Sequence, residues 1–401
     1  MTVVEARAAH VITSCAEAVA AAAELAPRIR AGAADRDRLR VLPHAELAWL
    51  SASGLLGIFV PAEYGGADAD VATVTEVVRI LAAADPNVAQ IPHSHFVYVN
   101  MLRHQGSAAQ RAFFFAEVLA GKRLANAQSE TGTKHVQDIR TTLVACGPDE
   151  FLLTGVKGYC TGTLYADWIP VLAHLGPDGP LHVAYVEATA PGVTIVDDWD
   201  GLGQRTTASG TVRLEGVVVP ADRIVPYHLT FTGPQLYGAF AQILHAAIDT
   251  GIAAAALEDA VEFVRTKSRP YPDAHVERPT EDPLVVQRVG ELAIEVRSAE
   301  AVLVAAAREV DTARRRLTAE SAARASVAVA TARAVSTRVS VDVSSALFEV
   351  SGTRSALAAL GLDRHWRNAR THTLHDPLAW KVQHIGRYTL NGTPPPRHGQ
   401  L

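Results

Sequence analysis

Arg367-Asn368-Ala369-Arg370-Thr371-His372-Thr373-Leu374-His375-Asp376-Pro377 gathers three titratable side chains, His372, His375 and Asp376, into five residues. On a helix, His372 and His375 would share one face, because they are three apart. Pro377 biases Asp376 away from helical geometry, so a helix is expected to stop here. Alone, the string has two meanings. It is either a C-terminal helix with surface histidines and a proline stop, or a polar site built at a forced helix break. The upstream sequence has to choose.

The chain has 401 residues and is 48% hydrophobic, enough for roughly two to three domains' worth of core. A net charge of -5 and a pI near 6.3 give no basic footprint for nucleic acid. Arg314-Arg315-Arg316 sits among Ala and Val at helical spacing and reads as a solvated helix face. No uncharged apolar run reaches the length of a membrane span, so no transmembrane helix is expected. Glu5 and Arg7 come early, and the order of a secretory signal is missing. Cys15, Cys146 and Cys160 lack metal-ligand spacing and are odd in number, which suits buried thiols in a reduced cytoplasm. Without a secretory signal, the sequon Asn391-Gly392-Thr393 is a chance match.

Three textures follow one another. Residues 1–120 are alanine-rich helical blocks broken at Gly54, Pro61, Gly65-Gly66 and Pro86. Residues 121–232 hold short apolar runs between turn residues. In Thr211-Val212-Arg213-Leu214-Glu215 the apolar positions alternate, as in a half-buried strand. Pro170, Gly176, Pro180, Pro191 and Gly192 punctuate the same region as turns would. Residues 233–401 are helical again. Val285, Val289, Leu292, Val296, Ala299, Leu303 and Ala306 form a packing seam, for which the stretch 318–350 is a candidate partner. The expected class is α+β, mainly α: a helical domain, a β domain, then a helical bundle that also suits subunit association.

The sequence lacks a Gly-x-Ser-x-Gly elbow, a Rossmann Gly-x-Gly-x-x-Gly and a P-loop. His93 and His95, like His372 and His375, are closely spaced, but no cysteine or carboxylate completes a metal set, and none is expected. Three loop strings remain. Asn126-Ala127-Gln128-Ser129-Glu130-Thr131-Gly132 is rich in small hydrogen-bonding groups that suit the edge of a planar polar ring. Gly155 to Gly162 follows it, and Gly203 to Gly210 precedes the strand ending at Pro220. Each alone reads as turns; their order and spacing say more.

In that order, with the C-terminal string as a fourth match, the sequence resembles the acyl-CoA dehydrogenase-like flavoprotein superfamily over nearly its whole length. The resemblance implies an N-terminal helical domain, a middle β-barrel-like domain and a C-terminal four-helix bundle, usually as a homotetramer. It also implies three flavin loops. Departures choose the branch. Asp376-Pro377 stands where the dehydrogenases carry a catalytic glutamate, with His375 just before it. Lys134-His135 replaces a usual Ser-Asp. Arg269-Pro270-Tyr271 and Ser351-Gly352-Thr353 are reduced forms of the strings that hold adenosine, which implies FMN, with FAD less favoured. These departures are similar to those of the flavin-dependent monooxygenases on this fold, of the dibenzothiophene and sulfur-acquisition type. Ser53-Gly54-Leu55-Leu56, Val60 to Gly66, Asp197-Asp198-Trp199, Thr280-Glu281-Asp282-Pro283 and Ile91 to Phe96 carry that likeness.

The implied enzyme takes reduced FMN from a separate reductase, adds O2 to give a C4a-peroxyflavin and oxygenates a small organosulfur compound. The same match puts His375 on the C4a/N5 side of the flavin and His95 on the substrate side. Thr161 stands where these relatives have serine, keeping the hydroxyl. Asn126 and Ser129 are expected at the flavin or substrate edge, Trp199 beside the flavin and Arg269 on the FMN phosphate. His93 and His372 are left structural, and Arg205 is read as a turn or subunit contact. Two alternatives stay open on this scaffold. One is an acyl-CoA dehydrogenase or oxidase with Asp376 as base; the other is an N- or C-hydroxylase of a biosynthetic pathway.

Overall fold

A computed structural model describes residues 9–401; Glu5 and Arg7 lie outside the described residues. The chain opens with α1 (Cys15–Arg30), α2 (Ala33–Leu39), α3 (His44–Ala52), α4 (Val71–Ala84), α5 (Pro86–Gln90), α6 (His93–Gln105) and α7 (Ala108–Leu119). Their starts are written locally. Asp70 accepts the Thr73 N–H at 2.8 Å, and Ser107 with Gln110 makes a reciprocal capping box on α7.

The middle segment forms β1 (Thr142–Ala145), β2 (Glu150–Lys157), β3 (Trp168–Leu175), β4 (Leu181–Glu187), β5 (Val193–Val196), β6 (Thr211–Pro220) and β7 (Ile224–Val225). They make one seven-stranded sheet in the order β5-β6-β2-β1-β3-β4-β7. Only β1 and β3 pair in parallel among these neighbours. On β6, Val212 and Leu214 are buried while Arg213 and Glu215 face water, the alternation its sequence carries. Pro170 is a correction: it lies inside β3 rather than in a turn. Its carbonyl accepts the Ala127 N–H at 3.2 Å on the edge where β1 has ceased to pair and only isolated bridges remain, while β4 pairs along the other edge.

The last third holds α8 (Tyr237–Thr266), α9 (Pro283–Arg315), α10 (Ala319–Ser351), α11 (Asp363–His372) and α12 (Leu378–Asn391). The α9 seam is buried from Leu292 to Ala306 and packs on α10, while Val285 and Val289 are only half-buried at its outer end. By length and composition alone α8 is long and apolar enough to cross a membrane. It is instead buried at the centre of the bundle, with α4, α9 and α10 around it. One apolar core runs through α1, α4, α6 and the first half of α8, so the N-terminal helices and the bundle share it. Cys160 is buried as expected, but Cys15 is half-buried and Cys146 exposed.

Candidate active site

Two polar groups, one on the bundle and one on the sheet, make the site. On the bundle, α11 ends at His372 and the chain turns, the His375 N–H bonding the His372 carbonyl at 3.1 Å. The two histidines therefore share no helix face; the turn brings both rings onto His245 of α8. Ring centroids lie 4.1 Å (His375) and 5.1 Å (His372) from that of His245. His93, at the start of α6, stacks on His245 at 3.9 Å and donates from Nε2 to the Ala241 carbonyl at 2.9 Å. Behind them, His245 Nδ1 and His372 Nε2 are 3.0 Å apart, and His372 Nδ1 is 2.5 Å from Asp249. Arg333 of α10 closes on the other Asp249 oxygen.

Asp376 is buried. It accepts from Gln242 Nε2 at 2.8 Å, lies 3.1 Å from His375 Nδ1 and 3.9 Å from Lys381 Nζ. Burial pushes its carboxyl up, but His375 and then Lys381 outweigh burial and hold it well below the usual carboxylate range. Burial in turn pushes Lys381 down to about 8, against the pull of Asp376.

On the sheet side, Thr161 Oγ1 meets Ser209 Oγ at 2.8 Å, and Ser209 meets Thr207 at 2.7 Å. Asn126 joins them: its N–H donates to the Thr161 carbonyl at 3.2 Å and its Nδ2 to the Tyr159 carbonyl at 3.3 Å. The Ser129 carbonyl accepts the Gly158 N–H at 3.0 Å, lacing the first loop string to the second. A buried ion pair, Lys157 to Glu130 at 2.7 Å, locks the same two strings together. Tyr159, Gln204 and Ala208 hold φ of 55°, 52° and 50°. Non-glycine residues are strained in that region by about 1–3 kcal/mol each and gather at functional sites.

The third string joins the two halves. Gln204 N–H donates to Asn368 Oδ1 at 2.7 Å and Gly203 N–H to Thr371 Oγ1 at 2.8 Å, both on α11. A Cβ at Gly203 would stand 2.0 Å from the Arg367 carbonyl oxygen, so this approach requires glycine. Trp199 donates from Nε1 to the Gln204 carbonyl at 2.8 Å and meets Tyr159 edge-on at 6.3 Å. Thus the loop that holds Trp199 docks on the helix that ends beside His375, and Asn126, Ser129 and Thr161 are laced to that loop through Ser209 and the second string.

His95 is bonded on both sides, and Arg269 lies far along α8. His95 Nε2 donates to the Leu56 carbonyl at 3.0 Å, and Nδ1 accepts the Leu124 N–H at 3.1 Å. Both ring nitrogens are thus committed to main chain, and burial pushes the imidazole down to about 4. Arg269 is exposed just past the far end of α8, roughly 36 Å along the helix from Gln242 at 1.5 Å per residue. There, Ser268 donates to the Ser351 carbonyl at 3.0 Å, so 269–271 and 351–353 lie together at the bundle's far end.

Sequence reading missed Gln242, His245, Asp249 and Arg333. The signal existed on α8: Gln242, His245 and Asp249 are polar residues spaced three and four apart on one face of an otherwise apolar helix. Among the described residues no His, Cys, Asp or Glu group is arranged to hold a metal.

Several buried polar atoms at this junction have no protein partner: both amide atoms of Gln204, and Gln242 Oε1. Buried polar atoms need a partner, so a ligand rich in donors and acceptors fits here. A separate cavity of about 310 Å³ opens between the second half of α6, the start of α8 and the end of α9, lined by Phe59, Asn100, Met101, Thr230, Tyr237 and Phe240 and by none of Gln204, Gln242, His375 or Asp376. Thr230 Oγ1 is a further unpartnered buried atom.

The acyl-CoA dehydrogenase N-terminal domain matches residues 16–122, and its C-terminal domain matches residues 243–380. The chain is 34% identical to the dibenzothiophene monooxygenase of Rhodococcus qingshengii over 391 residues, 94% of each chain. It is 31% identical to the probable FMNH2-dependent monooxygenase SfnC of Pseudomonas putida, covering 94% of this chain and 96% of that one. The crystal structure of FMN-bound TdsC from Paenibacillus sp. A11-2 superposes with a TM-score of 0.91 at 33% identity, covering 96% of this chain and 100% of that one. The chain belongs to the acyl-CoA dehydrogenase family, in its flavin-dependent monooxygenase branch.

Proposed function

We propose that this protein is a reduced-FMN-dependent monooxygenase that uses O2 to oxygenate a small organosulfur compound. The observation that carries the reading is the state of Asp376. The residue in the place of the family's carbon-acid base is buried, bonded by Gln242 and His375, and held below the usual carboxylate range, which makes it a weaker base. His375 beside it is half-exposed. The dehydrogenase or oxidase alternative needs a free carboxylate, and this site has a masked one beside a presented imidazole.

Reduced FMN, when bound, supplies the electrons that activate O2. The chain's own residues do the rest. Thr161, Ser209 and Asn126 offer hydroxyl and amide groups along one edge, and the Gln204 and Gln242 amides gain their missing partners. His375 presents its half-exposed ring, and with it a ring nitrogen able to donate or accept a hydrogen bond, beside the reacting centre. We assign His95 to positioning, since its ring clamps Leu56 to Leu124, the entry to the sheet.

A homotetramer and a separate reductase belong to the same proposal. In its own subunit Arg269 is much farther from His375 than an FMN is long, so it serves a flavin only across a subunit interface. Cys146, a free exposed thiol, suits the reducing cytoplasm we assign to the protein.

The test is product analysis under 18O2, with reduced FMN regenerated by an added reductase. Substrates are dibenzothiophene, a short alkyl sulfone and a butyryl thioester. One 18O atom per molecule in a sulfur compound is expected. Desaturation of the thioester without 18O would replace the reading with the dehydrogenase one.

A further inference from the structure

Three polar contacts in series run inward from the site: His245 to His372, His372 to Asp249, and Asp249 to Arg333. The far end fixes every proton along the row. Burial pushes the Asp249 carboxyl up, but His372 and Arg333 outweigh it, so Asp249 is ionised and only accepts. His372 Nδ1 therefore carries hydrogen, and its bare Nε2 accepts from His245 Nδ1–H. That leaves His245 with a bare Nε2, on a ring 4.1 Å from that of the half-exposed His375. Burial holds His245 and His372 neutral in this resting state.

A purely structural role does not account for the row. Asp249 and Arg333 already balance each other's charge, and a neutral apolar pair on α8 and α11 would fill the same space without two buried imidazoles. Two histidines in series do what an apolar pair cannot: they can move a proton.

We propose that His245, His372 and Asp249 form a proton relay that serves His375. A proton from the His375 side, directly or through one water, bonds to His245 Nε2. The Nδ1 proton of His245 crosses the 3.0 Å gap to His372 Nε2. One positive charge then rests on His372 against the Asp249 carboxylate, and His245 is neutral with its tautomer reversed. Running the two transfers backwards returns the proton and resets both rings. His245, His372 and Asp249 are positioning residues in this scheme, acting through His375. The titratable and charged groups facing His245 are His93 of α6, His372 of α11, His375 of the next turn and Arg333 of α10, with Asp249 behind His372 and Asp376 and Lys381 behind His375. The relay's use rests on the monooxygenase reading; its tautomers do not.

His372→Gln separates a relay from a strut. Glutamine can donate to Asp249 and accept from His245 Nδ1–H, but it cannot ionise. The first measurement is 15N NMR of histidine-labelled, flavin-free wild-type protein at neutral pH, with resonances assigned by single substitutions. The expected state of His245 is a protonated Nδ1 and a bare Nε2; the opposite tautomer overturns the relay, whether or not any variant folds. The second is the pH profile of product formation by the FMN-loaded enzyme. His372→Gln should slow the proton-dependent step on the order of 10²-fold, at the low end of general acid–base effects, and flatten the profile. An unchanged rate and profile in His372→Gln with the His245 tautomer intact would leave only a strut. If the wild type oxygenates no sulfur compound, the proposed function fails, and the tautomer measurement still decides whether the row is wired as described.

Discussion

His375→Ala is expected to keep consuming O2 while its oxygenated product falls on the order of 10²-fold and H2O2 takes its place. That is the scale on which removing one well-placed donor acts at a reacting centre. The expectation follows from geometry. The His375 side chain is 48% exposed, while its neighbours His372, Asp376 and His245 are all buried. Asp376 takes the Nδ1 side of the ring at 3.1 Å, which leaves Nε2 for the site. Alanine removes that nitrogen but leaves Asp376 with Gln242 and Lys381, so the turn survives. The check is a balance of reduced FMN consumed against product and catalase-sensitive peroxide. Unchanged coupling would remove His375 from the chemistry. Asp376→Asn supplies the contrast: a carbon-acid base lost there would stop turnover altogether, whereas an orienting acceptor lost there would mainly lower coupling.

The second large effect is acid lability. Burial pushes His93 down to about 3, His95 down to about 4 and His245 well below its ordinary value. Their unfolded pKa is near 6.5. Folded pKa values below unfolded ones mean that these groups contribute stability above about pH 6.5, and that it is lost as pH falls towards their folded values. Near pH 5 the unfolded chain binds all three protons and the fold binds almost none, so stability falls by roughly 4 kcal/mol per pH unit. Domains hold about 5–15 kcal/mol in all, so the fold should fail near the middle of that window. Proton uptake on denaturant unfolding at pH 5 should exceed that at pH 8 by at least about three, with His372 and His365 adding to it. A folded His95→Gln variant should lower it by one. A difference below one proton would mean that these imidazoles are not held neutral.

How much of this was legible in the sequence differs from residue to residue. The α9 seam and the β6 alternation were readable, because burial on one face imposes a period that water-facing residues reveal. The C-terminal string was readable because Pro377 forces a break beside titratable groups. Its geometry was not: local spacing implied a shared helix face, and the structure uses a turn after His372 instead. His245 and Asp249 were hidden because α8 is buried nearly all round, so no polar face marks it as special. Only the spacing of Gln242, His245 and Asp249 gives them away. Arg333 sits in an Ala/Val-rich run whose composition suggests packing, and its partner Asp249 is 84 residues away. The environment of His95 could not be read from sequence either, since both its partners are main-chain groups of distant segments. Pro170 read as a turn because proline usually marks one; it lies in a strand only because β3 lacks a full neighbour there.

The most direct test of the central claim is stopped-flow mixing of the protein's reduced-FMN complex with O2, in the absence of substrate. The account requires a transient flavin–oxygen adduct, with absorbance distinct from both reduced and oxidised FMN, that decays slowly in the wild type and faster in His375→Ala. Single-step reoxidation with no such transient, together with reduction of the bound oxidised flavin by an acyl thioester, would contradict it.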